Sequence, residues 1–413
     1  MKNKVFLYEE QLLEVLASNV EQTTGVAYEW RGEMVHHVYT KPPKVAPAGY
    51  PAVAYIRVFE DKEAFEESRE SFYNYLFDHL PKDGAHLLLI CLYQGKEKLE
   101  HKAHLFDIDS VVDCEVHFIP SKSELYSRSK GLLETEYMEQ CKVLIIGLGS
   151  FGSNIAVELA KAGVGEFILI DMDFIELHNI ARHQCGINDL GRYKTKAVRD
   201  LILQKNPYAK VETHEVSVVK NYQLLHTLMA QSDLVICATD NNPSRFAINQ
   251  AAIKLRKKVL FGRAITRAEG GDVFILRPDA KTCYACLIND DGSNKYSQEE
   301  EISTTKQLEG ILPAYASTKE KDVLVQVGLS SDIIPICNMI VKLCLIELNR
   351  FTPTAMPYLA KEFTYNYYFW ANRRGISLHY TNYRPFNDAI GLPTILKWYG
   401  ADIPANENCT CCN

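Results

Sequence analysis

No excess of positive charge, no long apolar run and no internal repeat marks this chain of 413 residues. Lys and Arg total 45 against 52 Asp and Glu, a formal net charge of −7. A general nucleic-acid binder shows a basic surplus or stripe, so nothing here points to that class. The most apolar late stretch, Asp332 to Phe351, is broken by Pro335, Asn338, Lys342 and Glu347, whereas a spanning helix needs roughly 20 mostly apolar residues. Glu9 and Glu10 interrupt the opening apolar run where a signal peptide would carry its apolar core. The expectation is a cytoplasmic protein with no membrane and no nucleic-acid partner. Its 12 cysteines are then expected to be reduced and used as buried small side chains, metal ligands or nucleophiles.

What is there is ordinary globular material, 47% hydrophobic and 23% charged, long enough for two or three domains. Residues 1–125 read as a small α/β domain: an amphipathic stretch from Leu7 to Val20, then alternating runs at Gly25–Trp30 and Ala52–Phe59. The four prolines within Lys41–Pro51 make a loop. A helical pattern, Asp61 to Leu80, precedes Ala85–Leu92, a run of buried-strand type. The chain divides near residue 125, with 126–413 as the second part, and from Cys141 onward the rhythm changes. Lys142–Ile146, Glu166–Ile170, Ala209–Val216, Asp233–Ala238 and Lys258–Phe261 read as strands, with helical patterns at Ser153–Ala162, Lys194–Lys205, Tyr222–Ala230 and Pro243–Arg256 between them. That alternation predicts an α/β fold with a doubly wound, mostly parallel, Rossmann-like sheet. The polar stretch 288–330 reads as a long exposed crossover.

The chemistry begins after the first of these strands. Gly147-Leu-Gly149-Ser-Phe-Gly152 follows a strand, opens a helix and has Asp171 about 20 residues on. The first glycine permits the tight turn, the second lets a phosphate approach the backbone and the third packs helix on strand. Amides at the helix start face the phosphates, and Asp171 would accept bonds from ribose hydroxyls. A dinucleotide dehydrogenase fits this much. The next segment argues for a triphosphate instead: Asn179, Arg182 and Lys194 lie just past the ribose strand, Arg182 as a planar fork and Lys194 as a point charge. Asp240 closes the fourth strand, placed to hold Mg²⁺ against phosphates. It competes with the role of cap for the helix at Pro243, which Asn241 or Asn242 could fill instead.

G-L-G-S-F-G, I-D-M-D, N-I-A-R, G-R-Y-K and A-T-D-N-N-P-S-R, in that order, resemble the ubiquitin-activating-enzyme-like superfamily, the ThiF/MoeB/HesA group. The resemblance implies that ATP and Mg²⁺ adenylate a C-terminal carboxylate, normally that of a ubiquitin-like protein. It implies Asp171 on the ribose, Asn179, Arg182 and Lys194 on the phosphates, and Asp240 with magnesium. Arg128 falls where the family places an arginine reaching the ATP of the other subunit, which implies a homodimer. His183 departs from the usual glutamine.

Cys283-Tyr-Ala-Cys286, after a hairpin expected at Asp272–Arg277, occupies the place of the first half of the family's four-cysteine zinc site. The second pair is sought at the C-terminal tail, as Cys409 and Cys412, leaving Cys411 over. Redox pairing or simple burial are the other readings. Residues 287–336 contain no cysteine to accept an activated glycine. Cys185 and then Cys411 are the remaining candidates, and simple packing is favoured for Cys185. An enzyme stopping at the acyl-adenylate fits this. A fused isopeptidase of the JAMM type needs His-x-His with an acid; His36-His37 and His101-Lys-Ala-His104 lack that spacing. The expected partners are a ubiquitin-like protein or a peptide, and an E2-like conjugating protein. An NAD(P)-dependent oxidoreductase and a nucleotide-binding scaffold without turnover are the rivals.

Overall fold

A computed structural model describes residues 2–18, 20–30, 33–45, 47, 49–80, 86–94, 99–107, 110–120, 122–129, 134–264, 268, 270–278, 280–288, 328–350, 361–372 and 396–412. The chain divides into two compact units, Met1–Arg128 and Ser129–Asn413.

The first unit is built from β1 (Asn3–Tyr8), α1 (Glu9–Ala17), β2 (Gln22–Trp30), β3 (Val35–Tyr39), β4 (Tyr50–Asp61), α2 (Lys62–Asp78), β5 (Leu87–Gln94), β6 (Leu99–Asp107), β7 (Ser110–Ile119) and the short α3 (Lys122–Leu125). Its strands close into a barrel in the order β1-β3-β2-β4-β5-β6-β7. The stretch from Leu7 to Val20 is therefore not one amphipathic element: Leu7 and Tyr8 belong to β1, paired with β7 and β3, and the helix starts at Glu9. Closure explains the continuous apolar run of β5. Leu88, Ile90 and Leu92 join the inner cluster with Val5, Leu7 and Val38. Leu87, Leu89, Cys91 and Tyr93 face the other way, onto Phe65, Phe72 and Leu76 of α2. Both sides of one strand are buried, so alternation disappears from the sequence.

The second unit holds α4 (Thr135–Met138), β8 (Lys142–Ile146), α5 (Ser150–Lys161), β9 (Glu166–Ile170), α6 (Lys194–Lys205), β10 (Lys210–His214), α7 (Tyr222–Ala230), β11 (Leu234–Cys237), α8 (Asn242–Leu255), β12 (Val259–Ala264), β13 (Gly270–Leu276), α9 (Tyr284–Ile288), α10 (Ser330–Asn349), β14 (Tyr367–Ala371) and β15 (Lys397–Ala401). The sheet order is β10-β9-β8-β11-β12-β13-β14-β15. The first five strands are parallel and the last three antiparallel. Strand order reverses between β8 and β11, which makes their carboxyl ends the switch point where such sheets bind ligands. Helices α5, α6 and α10 lie on one face, and α7, α8 and α9 pack in a second layer on the other. Gly262 and Gly271, on β12 and β13, let α10 approach: an added Cβ would stand 2.4 Å and 2.1 Å from Ile340 and Ile336.

The doubly wound expectation agrees with this topology. The hairpin expected within Asp272–Arg277 does not form; Asp272 to Leu276 run along the single strand β13, which pairs antiparallel with β12, and Arg277 follows its end. The crossover expected at 288–330 lies largely outside the described residues. No helix among the described residues is long and apolar enough to cross a membrane.

Candidate functional site

Three segments meet at the carboxyl ends of β8, β9 and β11. The first is the turn from β8 into α5. Gly147 takes a φ of +85°, and a Cβ there would stand 2.7 Å from the Ala238 carbonyl oxygen just beyond β11. A Cβ on Gly152 would stand 1.9 Å from the Gly147 carbonyl oxygen. Gly149 is different: a Cβ there meets nothing within 4 Å. The middle glycine thus fronts open space at the start of α5, whose N-cap, Gly149 itself, supplies no side-chain bond. First-turn amides have no intrahelical partner, so this end of α5 presents donors to whatever enters.

The second segment begins at Asp171. Its carboxylate accepts from the Leu148 amide at 2.6 Å and from the Asp173 amide at 2.9 Å. Burial pushes this carboxyl up from its usual range, opposed by Lys194 and by those two amides. The chain then runs out and returns as a short ribbon: Ile175 N–H donates to Arg192 C=O at 2.8 Å, Gly191 N–H to Ile175 C=O at 2.9 Å and Lys194 N–H to Asp173 C=O at 3.0 Å. Asp189 and Asp200 grip Arg192, and the return places Lys194 at the start of α6. Lys194 is buried, with its ammonium 2.8 Å from Asp173. Asn179 closes a single 3₁₀ turn, its side-chain oxygen accepting from Glu176 N–H at 2.9 Å. Arg182 follows, its carbonyl accepting from Ser150 Oγ at 3.0 Å. That bond ties the arginine's backbone to the residue after Gly149.

The third segment is the turn from β11 into α8. Asn241, not Asp240, caps α8, accepting from Ser244 N–H at 3.0 Å. Asp240 is left exposed, two residues past the carbonyl that packs on Gly147. Arg245 holds this turn and had no assigned role in the sequence, although it ends the A-T-D-N-N-P-S-R run. It is buried, with Nε 3.1 Å from the Thr239 carbonyl and Nη1 3.4 Å from Asn242 Oδ1, one partner on each side of Asp240.

The structure thus brings Gly147, Gly149, Gly152, Asp171, Arg182, Lys194 and Asp240 to one edge of one sheet. Arg128 is the last residue of the first unit, and its side chain is exposed. Cys185 is 2% exposed and its thiol is pushed up to about 12 by burial. It is packed, in keeping with the reading favoured for it over that of a thioester-forming nucleophile.

Below the layer formed by α8, four sulfurs converge. Cys283 Sγ lies 3.9 Å from Cys286 Sγ and 3.7 Å from Cys409 Sγ, and Cys286 Sγ lies 3.4 Å from Cys412 Sγ. All four fall within 4.8 Å of one another, the one metal-competent cluster of His, Cys, Asp or Glu among the described residues. Sulfurs on a tetrahedron about 2.3 Å from zinc are about 3.8 Å apart, so the set fits that ion. Cys411 is not among the four.

A doubly wound sheet with an open glycine turn, a buried acid and two cations at its switch point defines an α/β unit of the class that takes ligands at that edge. Residues 125–382 match the model of the ThiF family, and the chain belongs to that family. The probable adenylyltransferase/sulfurtransferase MoeZ of Mycobacterium tuberculosis is 34% identical over 134 residues, covering 32% of this chain and 33% of that one. The molybdopterin-synthase adenylyltransferase of Escherichia coli is 32% identical over 160 residues, 38% of this chain and 63% of that one. The chain thus spans about a third of MoeZ and under two thirds of the E. coli protein. Among solved structures, E. coli MccB with MccA-N7isoASN aligns with a TM-score of 0.49 at 16% identity, over 70% of this chain and 75% of that one.

Proposed function

We propose that this chain is an ATP-dependent adenylyltransferase that activates the C-terminal carboxylate of a ubiquitin-like protein. The observation that carries the reading is the open space at Gly149, flanked by Asp171 and by two cations, Arg182 with its backbone fixed to that loop and Lys194 with its side chain fixed to Asp173. A redox dinucleotide has no use for Arg182 and Lys194 there; a triphosphate does. In the reaction the carboxylate oxygen bonds to the α-phosphorus of ATP, and the bond from that phosphorus to the bridging oxygen breaks. Acyl-AMP and pyrophosphate result. The carboxylate is already ionised at neutral pH, so no general base is required. Asp171 holds the ribose, the start of α5 receives phosphate oxygens, and Arg182 and Lys194 offset charge on the leaving pyrophosphate. Asn179 keeps its turn, and through it Arg182, in place. A phosphate reaching Lys194 shares that ammonium with Asp173. Asp240 would hold Mg²⁺, which supplies further charge neutralisation when bound.

Cys283, Cys286, Cys409 and Cys412 would hold a structural Zn²⁺ that ties the C-terminal tail to the nucleotide unit. The domain reading keeps residues 1–125 as the part that recognises the protein substrate or an E2-like partner, and 126–413 as the adenylation domain with its crossover and tail. The assembly is a homodimer in which Arg128 of each copy serves the other's nucleotide, and the compartment is the cytoplasm. These finer assignments rest on the family resemblance.

The test is isotope exchange between pyrophosphate and ATP, with Mg²⁺ and a ubiquitin-like protein ending in glycine as the acid. Exchange dependent on that terminal carboxylate supports the reading. Exchange with short peptides alone would redirect the substrate. Tight NADH binding without exchange would sink adenylation altogether.

A further inference from the structure

One side chain joins the glycine-rich loop to the phosphate arm. His183 is buried, with Nε2 2.6 Å from the Leu148 carbonyl oxygen and Nδ1 3.0 Å from the Cys185 backbone nitrogen. A carbonyl can only accept and an amide N–H can only donate, so the ring is neutral with its proton on Nε2. The amide of the same Leu148 donates to Asp171. One residue between Gly147 and Gly149 is therefore held by its N–H on the Asp171 side and by its C=O on the arm side, through His183. Two neighbouring links, Ser150 Oγ to Arg182 C=O at 3.0 Å and Gln184 N–H to Ser153 Oγ at 3.4 Å, run through hydroxyls that rotate, and a third joins the Gln184 side-chain amide to Asn154 of α5. His183 is the one of these links that reaches the glycine-rich turn itself through a ring.

We infer that His183 is a positioning residue that sets the spacing between Gly149 and Arg182, and that it does so only as a neutral imidazole. Protonation would place an N–H on Nδ1 against the Cys185 N–H, two donors facing each other, and the buried bond is lost. Burial is the main force holding the ring neutral. The Leu148 carbonyl favours the charged form, Lys194 opposes it and Asp189 favours it. The Cys185 thiol, at about 12, stays uncharged beside it. Nucleotide affinity should then carry an acid limb that belongs to this ring. A glutamine offers the same complement, one N–H donor and one acceptor, without a titration. The inference rests on the nucleotide reading above.

Calorimetric titration with Mg²⁺·ATP needs no acyl substrate. His183→Gln should bind within about threefold of wild type at pH 8, and His183→Phe, which can make neither bond, at least about tenfold more weakly. As pH falls from 8 through the ring's titration, which burial moves below the usual histidine range, the wild type should lose affinity that His183→Gln keeps, a comparison that cancels the nucleotide's own titration. Equal affinity for the phenylalanine variant, or an acid limb in the glutamine variant as steep as wild type, would overturn the inference. Should His183→Phe fail to fold, the glutamine variant and the imidazole ¹⁵N shifts of the wild type still decide, because an Nδ1–H tautomer or a charged ring at pH 7 refutes it. A wild type that binds no Mg²⁺·ATP would sink the nucleotide reading instead, and the ¹⁵N shifts then judge His183 alone.

Discussion

The three glycines of the loop look alike in the sequence and should fail differently when changed to alanine. At Gly149 the added methyl meets no atom of the protein within 4 Å. Folding is then affected by no more than the usual gain from removing a glycine, about 0.4–1 kcal/mol. At Gly152 the methyl stands 1.9 Å from a backbone oxygen that cannot swing aside. Overpacking of that kind costs about 1–3 kcal/mol, which lowers the melting temperature by about 2–12 °C in a unit of this size. If phosphates occupy the space in front of Gly149, the methyl displaces them from one amide. A hydrogen bond to a charged group is worth about 1.5–3 kcal/mol, so Mg²⁺·ATP affinity should fall about 10- to 150-fold. Thermal melting and calorimetric titration of Gly149→Ala and Gly152→Ala separate the two effects. The reasoning is refuted if Gly149→Ala binds like wild type, or if it melts as early as Gly152→Ala.

Asp240→Ala should abolish pyrophosphate exchange with an unchanged melting curve, because Asn241 rather than Asp240 caps α8; wild-type exchange would remove Asp240 from the site. Purified protein should carry one zinc per chain by elemental analysis. Cys412→Ser should lower that content and the melting temperature, while Cys411→Ser changes neither; equal loss in both would refute the four-sulfur assignment. With its thiol at about 12, Cys185 is thiolate in only about one molecule in 10⁴ at pH 8. Cys185→Ser should therefore keep full exchange activity, and mass spectrometry after incubation with Mg²⁺, ATP and the partner should find no thioester there.

Much of the second unit was legible beforehand because its signals are local. Helices α6 and α7 begin and end at the residues their periodicity marked, and β8 and β9 do the same. Motif residues sit at the ends of strands, where parallel topology leaves them on one edge. The first unit was harder. Its opening stretch mixes a strand with a helix, and Leu7 pairs with Phe118 on the last strand of the unit, a partner more than 100 positions away in sequence. No window of sequence contains both. The same limit hid His183 and Arg245: each looked like one polar residue in a motif, and its task appears only when its two hydrogen-bond partners are in view.

Taken alone, the residues determined the sheet class, the glycine cradle, the acid that faces it and the two cysteine pairs, since spacing and side-chain chemistry carry those without knowledge of neighbours. The closure of the barrel, the burial of Cys185, the cap that frees Asp240 and the strut at His183 were decided only in three dimensions. Each depends on distance between groups remote in the chain or on exclusion of water, and neither quantity is written in local order.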